Sequence, residues 1–359
     1  MHIGRRVCRN LYMGDIIVKF GVLQFFSWPG RRVPLETVYE RAFQRMEIMD
    51  STGYDAVWLA EHHFSTYSVC PSVHIMGTHI AARTQNIRIG TAVSLASFYH
   101  PLRLAEEVAL LDNISGGRVN WGAGRGFDST EHKIFNVEPQ ESYPRFREAV
   151  EIVLTAWNNK KLNYQGEFWQ FEDVEVLPKP VQDPMPVWLA ASSHDALEWS
   201  GQQGFSILMD PHATYKEITL KRSIYLDSLE SSGYEIGDRD IPMARTLAMG
   251  ATTAEAEAVG RRGAEFMFGS YLRKKGSIRG IEAGAKKTQK IEALDQTIRD
   301  NEDPVERYVN EIAVCGTPEK IIDDIQEMQE TVPMNYLMIA PLSHASFVMF
   351  TEKVLPHFI

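Results

Sequence analysis

Short apolar runs alternate with segments of helical periodicity along almost the whole chain. Ile16 to Phe25 is β-branched and aromatic and ends before Ser27, Pro29 and Gly30, which reads as a first strand. In the next segment, Val38, Ala42, Met46 and Met49 recur every three to four residues with Tyr39 and Phe43 beside them, and Gly53 stops the pattern as a C-terminal cap. The pattern then predicts a strand Asp55 to Leu59, a helix from about Pro71 to Arg83 and a strand Ile87 to Val93. The next helix is opened by Pro101, striped by Leu104, Val108 and Leu111, and closed by Gly116-Gly117. Arg118 to Gly122 reads as a fourth strand and Tyr143 to Trp157 as a fourth helix.

Tyr164 to Val176 alternates aromatic and polar residues around Gly166, and Pro178, Pro180, Pro184 and Pro186 punctuate the residues after it, so this stretch reads as a small β excursion. Val187 to Ala191, Phe205 to Leu208, Met243 to Met249 and Tyr336 to Ala340 supply four more apolar runs, separated by helical stretches near 194–203, 214–231 and 253–268. Thr317-Pro318 start the helix before the last strand, striped by Ile321, Ile325 and Met328. Repeated βα units predict an α/β protein with a parallel sheet, and eight of them close into a single (β/α)8 TIM barrel with insertions; an open doubly wound sheet is the alternative. Residues 1–16 are expected to be a dispensable N-terminal extension and 17–359 the barrel. Within it, 273–303 is rich in Lys, Glu, Gly and Gln without apolar periodicity, and is expected to be a mobile insertion that serves as a lid.

A length of 359 residues is compatible with one barrel. The formal net charge of −10 comes with no basic block longer than the pairs Arg31-Arg32, Arg261-Arg262 and Lys274-Lys275, which argues against nucleic acid and for a small-molecule partner. Cys8, Cys70 and Cys315 are odd in number and widely spaced, so neither a disulfide framework nor a CxxC site is indicated. No stretch of about 18 apolar residues is available to cross a membrane. Arg5-Arg6 lacks the hydrophobic run of an export signal, and a cytoplasmic location is expected.

On a parallel barrel the chemistry lies at the C-terminal ends of the strands, so the residues just after each apolar run are the candidates. Strand two ends in Ala60-Glu61-His62-His63-Phe64, one carboxylate and two imidazoles. Adjacent residues on extended chain face opposite ways, so one of the histidines points inward and the other packs. Strand four ends in Gly122-Ala123-Gly124-Arg125-Gly126-Phe127, where glycines admit a ligand to the backbone and a permanent guanidinium suits a phosphate; a tight turn with a solvated arginine is the plainer reading. Strand five ends in Ala191-Ser192-Ser193-His194, whose hydroxyls and following helix N-terminus suit an anion, or merely cap the helix. Small residues at Gly90-Thr91-Ala92-Val93-Ser94 leave room for a flat ring, and Phe25, Phe26, Trp28, Phe98, Tyr99 and Phe127 fall where an apolar pocket would be. His74 and His79 are five apart and share no helix face well, there is no HExxH, and no metal site is expected.

The stretches Lys19-Phe20-Gly21, Val57 through Phe64, Ile89-Gly90-Thr91-Ala92, His100-Pro101, Leu111-Asp112, Gly116 through Gly126, Leu177 through Gln182, Val187 through Ala190 and Cys315 through Pro318, with Ala340, taken in order, resemble the bacterial luciferase family of flavin-dependent monooxygenases over most of 17–270 and 313–358. The resemblance implies reduced FMN at the barrel mouth, its ring over a cis peptide that maps to Ala92-Val93 and its phosphate near Gly124, Arg125, Gly126, Ser192 and Ser193. It carries the catalytic imidazole over to His62, with Glu61 beside it. It also implies a homodimer through the helices after strands two and three, and a separate reductase delivering reduced flavin by diffusion. Gly124 and Ser192 stand where the luciferase α subunit has a reactive cysteine and a glutamate, which argues against light emission and a long-chain aldehyde substrate. The reaction implied is oxygenation of a small organic substrate with dioxygen. A deazaflavin-dependent hydride-transfer enzyme of the same superfamily and a non-catalytic flavin-binding protein are the alternatives.

Overall fold

A computed structural model describes residues 18–237, 239–272, 303–332 and 334–359. The N-terminal extension expected at 1–16 and, apart from Asp303, the insertion expected at 273–303 lie outside the described residues. In chain order the strands are β1 (Lys19–Gln24), β2 (Ala56–Leu59), β3 (Arg88–Thr91), β4 (Ser94–Leu95), β5 (Val119–Gly124) and the hairpin strands β6 (Leu162–Gln165) and β7 (Gln170–Val174). They continue with β8 (Val187–Ala190), β9 (Ser206–Leu208), β10 (Met243–Met249), β11 (Val314–Gly316) and β12 (Tyr336–Pro341). Between them run α1 (Leu35–Asp50), α2 (Val73–Arg83), α3 (Pro101–Ser115), α4 (Ser129–Ile134), α5 (Ser142–Asn158), α6 (His194–Gln202), α7 (Tyr215–Ser231), α8 (Thr253–Met267), α9 (Pro304–Arg307), α10 (Pro318–Thr331) and α11 (His344–Lys353).

Every pairing in the main sheet is parallel, in the order β11-β10-β12-β1-β2-β3-β5-β8-β9, with β4 attached to β5. The sheet curls until Met209, just past β9, forms an isolated parallel bridge with Met243 of β10. What the described strands form is thus a curled parallel sheet, a coarser statement than the closed eight-stranded barrel expected from the count. β6 and β7 pair antiparallel outside it, as the aromatic alternation predicts.

Side-chain alternation divides the strands between two cores. Val22, Val57, Ile89, Trp121, Leu189, Ile207, Leu247 and Ile339 pack outward in the core shared with the helices, whereas Leu23, Trp58, Trp188, Leu208, Tyr336 and Met338 form a separate cluster inside the curl. The aromatics of that cluster make a floor. The Trp58 and Trp188 rings meet edge to face at 5.3 Å, and Trp58 Nε1 donates to the Tyr336 hydroxyl at 3.0 Å. Tyr336 donates onward to Asp55 Oδ2 at 2.8 Å, and Trp188 Nε1 to the Asp240 carbonyl at 3.1 Å. Gly90 is required beneath this plug, because a Cβ there would lie 2.3 Å from the Trp58 ring.

Two of the stretches that carry the family resemblance meet as structure, away from the cavity described below. Asp112 of α3, fully buried, accepts from the Val181 and Gln182 amides at 2.8 and 3.0 Å and from Gln182 Nε2 at 2.7 Å, pinning the proline-rich segment that leads into β8.

Some boundaries differ from the sequence reading. β3 stops at Thr91 rather than Val93, because the Ala92-Val93 peptide is cis and the chain re-enters the sheet as β4. β5 continues to Gly124, so Gly122-Ala123-Gly124 is strand and not turn. β4, α4 and β11 are two to six residues long, too short for periodicity to reveal.

Candidate functional site

The C-terminal ends of the strands surround an open cavity of about 990 Å³. One wall is made of small residues, Ala92, Gly124 and Ala190, with Ala244 nearby; Phe25 and Phe127 supply aromatic surface, and Glu61, His62, Arg125, Ser192 and Asp210 the polar groups. Phe26, Trp28, Phe98 and Tyr99, grouped with them on sequence, do not line it, and Phe26 belongs to the outer core. At Gly124 a Cβ would lie 2.4 Å from Val93 Cγ2, so only glycine lets β5 approach the cis peptide this closely.

The two histidines separate as the alternation requires. His62 lines the cavity; its amide donates to the Cys70 carbonyl at 3.2 Å, and its ring stacks on Phe25 at 6.3 Å and meets Tyr67 edge-on at 4.9 Å. His63 turns to Phe135, 4.8 Å away, and its Nε2 lies 3.0 Å from Glu61 Oε1. Glu61 is therefore the partner of His63. Its other oxygen accepts from the Tyr99 hydroxyl at 3.1 Å and from the Leu95 amide at 3.4 Å. Burial, and then the Glu61 charge, push the Tyr99 hydroxyl up and the Cys70 thiol up to about 12.

The carboxylate against His62 is one the sequence reading missed. Glu131 of α4 is buried, its Oε1 3.7 Å from His62 Nδ1 and accepting from the His63 amide at 2.9 Å. A local signal for it exists: Asp128 N-caps α4, accepting from the Thr130 amide at 2.7 Å, and an acidic residue three after a cap is a helix-start signature. Asp210, two residues past β9, is a further polar group of the cavity and follows an apolar run as the other candidates do.

Arg125 lines the cavity and its Nη1 donates to Ser142 Oγ at 3.3 Å, at the first residue of α5; Ser97 Oγ donates to its carbonyl. Gly126 also borders the cavity. The serine pair is split. Ser192 lines the cavity, whereas Ser193 N-caps α6, accepting from the Ala196 amide at 3.3 Å, the plainer of its two readings. Among the described residues no helix is long and apolar enough to cross a membrane.

Known proteins resemble this chain in sequence and in fold. Residues 18–334 match the model of the luciferase-like monooxygenase family. Over 177 residues the chain is 31% identical to the oxygenase component of the flavin-dependent trigonelline monooxygenase of Acinetobacter baylyi, covering 48% of this chain and 49% of that one. Over 336 residues it is 23% identical to the alkanal monooxygenase alpha chain of Photobacterium leiognathi, covering 90% and 94%. The first matched relatives, two proteins of Sinorhizobium fredii, are aligned over only 58% and 60% of their length, so the chain spans little more than half of them. Among solved structures, monooxygenase RslO1 of Streptomyces bottropensis superposes with a TM-score of 0.79 at 24% identity, covering 95% of this chain and all (100%) of that one. The oxygenating constituent of 3,6-diketocamphane monooxygenase of Pseudomonas putida, a type II Baeyer-Villiger monooxygenase in complex with FMN, gives 0.76 at 18%, covering 96% and 99%. The coenzyme F420 dependent tetrahydromethanopterin reductase of Methanopyrus kandleri gives 0.71 at 19%, covering 95% and 99%. These likenesses in structure concern the fold.

Proposed function

Because the chain belongs to the luciferase-like monooxygenase family, we propose that it is the oxygenase component of a two-component system, taking reduced FMN from a separate flavin reductase and using it with dioxygen to oxygenate a small organic substrate. The observation that carries this reading is the convergence of the Ala92-Val93 peptide, Arg125 and His62 on one cavity at the strand ends. A flat ring needs a wall of small side chains, which Ala92, Gly124 and Ala190 offer; Arg125, with Ser192 before α6, suits its phosphate. In this reading the curled sheet works as an eight-stranded barrel of β1, β2, β3, β5, β8, β9, β10 and β12, with the Met209–Met243 bridge as its seam.

The cofactor, when bound, supplies the oxygen chemistry. The chain holds it and moves a proton. His62 is the proton-exchanging group: it lines the cavity, and Glu131 Oε1 lies 3.7 Å from its Nδ1, a carboxylate that favours a proton there. Glu61 works at one remove, holding His63, Tyr99 and Leu95 around the site. The relative named for trigonelline and the FMN-bound Baeyer-Villiger neighbour make this the first reading. The fold shared with an F420-dependent reductase motivates a second, hydride transfer with a deazaflavin. Exposed Ile75 on α2 and Leu110 and Ile114 on α3 suit a homodimer through these two helices.

The test is to load the protein anaerobically with reduced FMN and then admit dioxygen. A transient absorption band ahead of the oxidised FMN spectrum is expected. Reoxidation at the rate of free flavin, or affinity for F420 but not FMN, would refute the oxygenase reading.

A further inference from the structure

Behind the cavity wall runs a line of polar groups that the site above does not use. Ser94 of β4 lies between Val93 and Leu95, both of which line the cavity, while Ser94 itself is fully buried and does not. Its Oγ is 2.9 Å from His74 Nε2; His74 Nδ1 is 3.0 Å from Glu107 Oε2, and Glu107 Oε1 accepts from Arg103 Nε at 2.7 Å. The line thus runs from the cavity wall through α2 to the surface of α3, with side-chain exposure rising from 4% at His74 to 28% at Glu107 and 75% at Arg103. The bond from His74 foremost, acting against burial and aided by Arg103, holds the Glu107 carboxyl down at about 2. An ionised Glu107 keeps the proton on Nδ1 and reserves Nε2 for the Ser94 hydroxyl.

We propose that His74 is a positioning residue for the cavity: through Ser94 it fixes the Val93–Leu95 wall against which the cofactor lies. The inference rests on the reading that the cavity takes reduced FMN. A buried histidine commonly needs only to be satisfied by some partner, but two observations single this one out. β4 has just two ladder partners, Ala123 and Gly124, so a side-chain bond at Ser94 contributes much of what holds the segment in place. The same segment is also held by Glu61, through the Leu95 amide and through Tyr99, whose ring meets His74 edge-on at 5.5 Å. Two carboxylates, Glu61 directly and Glu107 through His74, therefore clamp one short strand that borders the cavity.

The experiment is a double-mutant cycle in the full chain, His74→Phe with Ser94→Ala, read as the dissociation constant for reduced FMN in folded protein. Each single change should weaken binding about tenfold, and the double change no more than either alone, since both remove the same link. Unchanged affinity in both folded variants, or losses that multiply to about a hundredfold, would overturn the proposal. Should His74→Phe fail to fold, Glu107→Gln, which keeps the shape, is read by the same titration and by the ¹⁵N-edited imidazole spectrum. A low-field Nδ1–H signal is expected in the unaltered protein and should move upfield in Glu107→Gln; a signal that stays put overturns the link. If the unaltered protein takes up no flavin yet that signal behaves as stated, the cofactor reading falls and the His74 link stands.

Discussion

The two halves of the curled sheet's interior are built from the same strands and do opposite things. Toward the N-terminal ends, Trp58, Trp188 and Tyr336 fill the space with their polar atoms bonded to one another or to Asp55 and Asp240, and Gly90 yields its side-chain volume to an indole. Toward the C-terminal ends, Ala92, Gly124, Ala190 and Ala244 withhold volume and leave about 990 Å³ open, bordered by Glu61, His62, Arg125 and Asp210. Along one strand, a few residues' advance turns a packed floor into a site: β2 carries Trp58 in the floor and is followed at once by Glu61 and His62 at the cavity. Stability is concentrated at one end so that the other can remain unfilled.

Substitutions at either end put this division to the test. His62→Ala should lower turnover by about 10²–10⁴-fold while reduced FMN binds nearly as before, because the loss is of proton transfer and not of packing. His63→Ala should instead act on stability, since it removes a partner from the buried Glu61 carboxylate; loss of chemistry in a stably folded His63→Ala would reverse the assignment. At the floor, Trp58→Ala should cost about 3–5 kcal/mol in denaturant unfolding, as a large cavity opens and the Tyr336 hydroxyl loses its donor. A loss confined to flavin binding, with stability intact, would mean that Trp58 belongs to the site.

Smaller changes probe the boundary between the two. Gly124→Ala pushes a methyl into Val93 and should cost about 1–3 kcal/mol, with flavin affinity falling in the protein that folds. Equal flavin affinity would show that the Val93 wall is not where the cofactor lies. The smallest effect is electrostatic. The Glu107 carboxyl is held at about 2 against an ordinary 4.5, so its stabilisation is fully present above the ordinary value and is lost as pH falls from about 4.5 toward about 2. Unfolding midpoints of Glu107→Gln should therefore fall less steeply than those of the unaltered protein across that window, and match its slope at neutral pH.

How much of the molecule was legible in the sequence depends on the range of the interaction that encodes each part. Strands such as β2, β5 and β12 and helices such as α1, α3 and α10 announce themselves because alternation, stripes and caps repeat over many residues. His62 and Arg125 stand out as candidates because each follows an apolar run, where a parallel sheet presents its ligand-facing ends, whereas the choice of His62 over His63 and the mapping of the cis peptide to Ala92-Val93 come only from the family resemblance. Glu131 sits on a six-residue helix that offers no periodicity, only the Asp128 cap. The pairing of His74 with Glu107 spans 33 positions of chain, and no local pattern carries it. The Ser192-Ser193 pair shows the converse: one sequence signal served a helix cap and a cavity wall at once, and only the backbone's path tells which serine does which.

Whether the emptied end holds FMN with its phosphate on Arg125 is decided by titrating reduced FMN and reduced riboflavin into the unaltered protein and into Arg125→Ala. The substitution should weaken FMN by about tenfold or more and leave riboflavin, which has no phosphate, almost unchanged. Equal losses for the two ligands, or none for either, would contradict that placement of the cofactor.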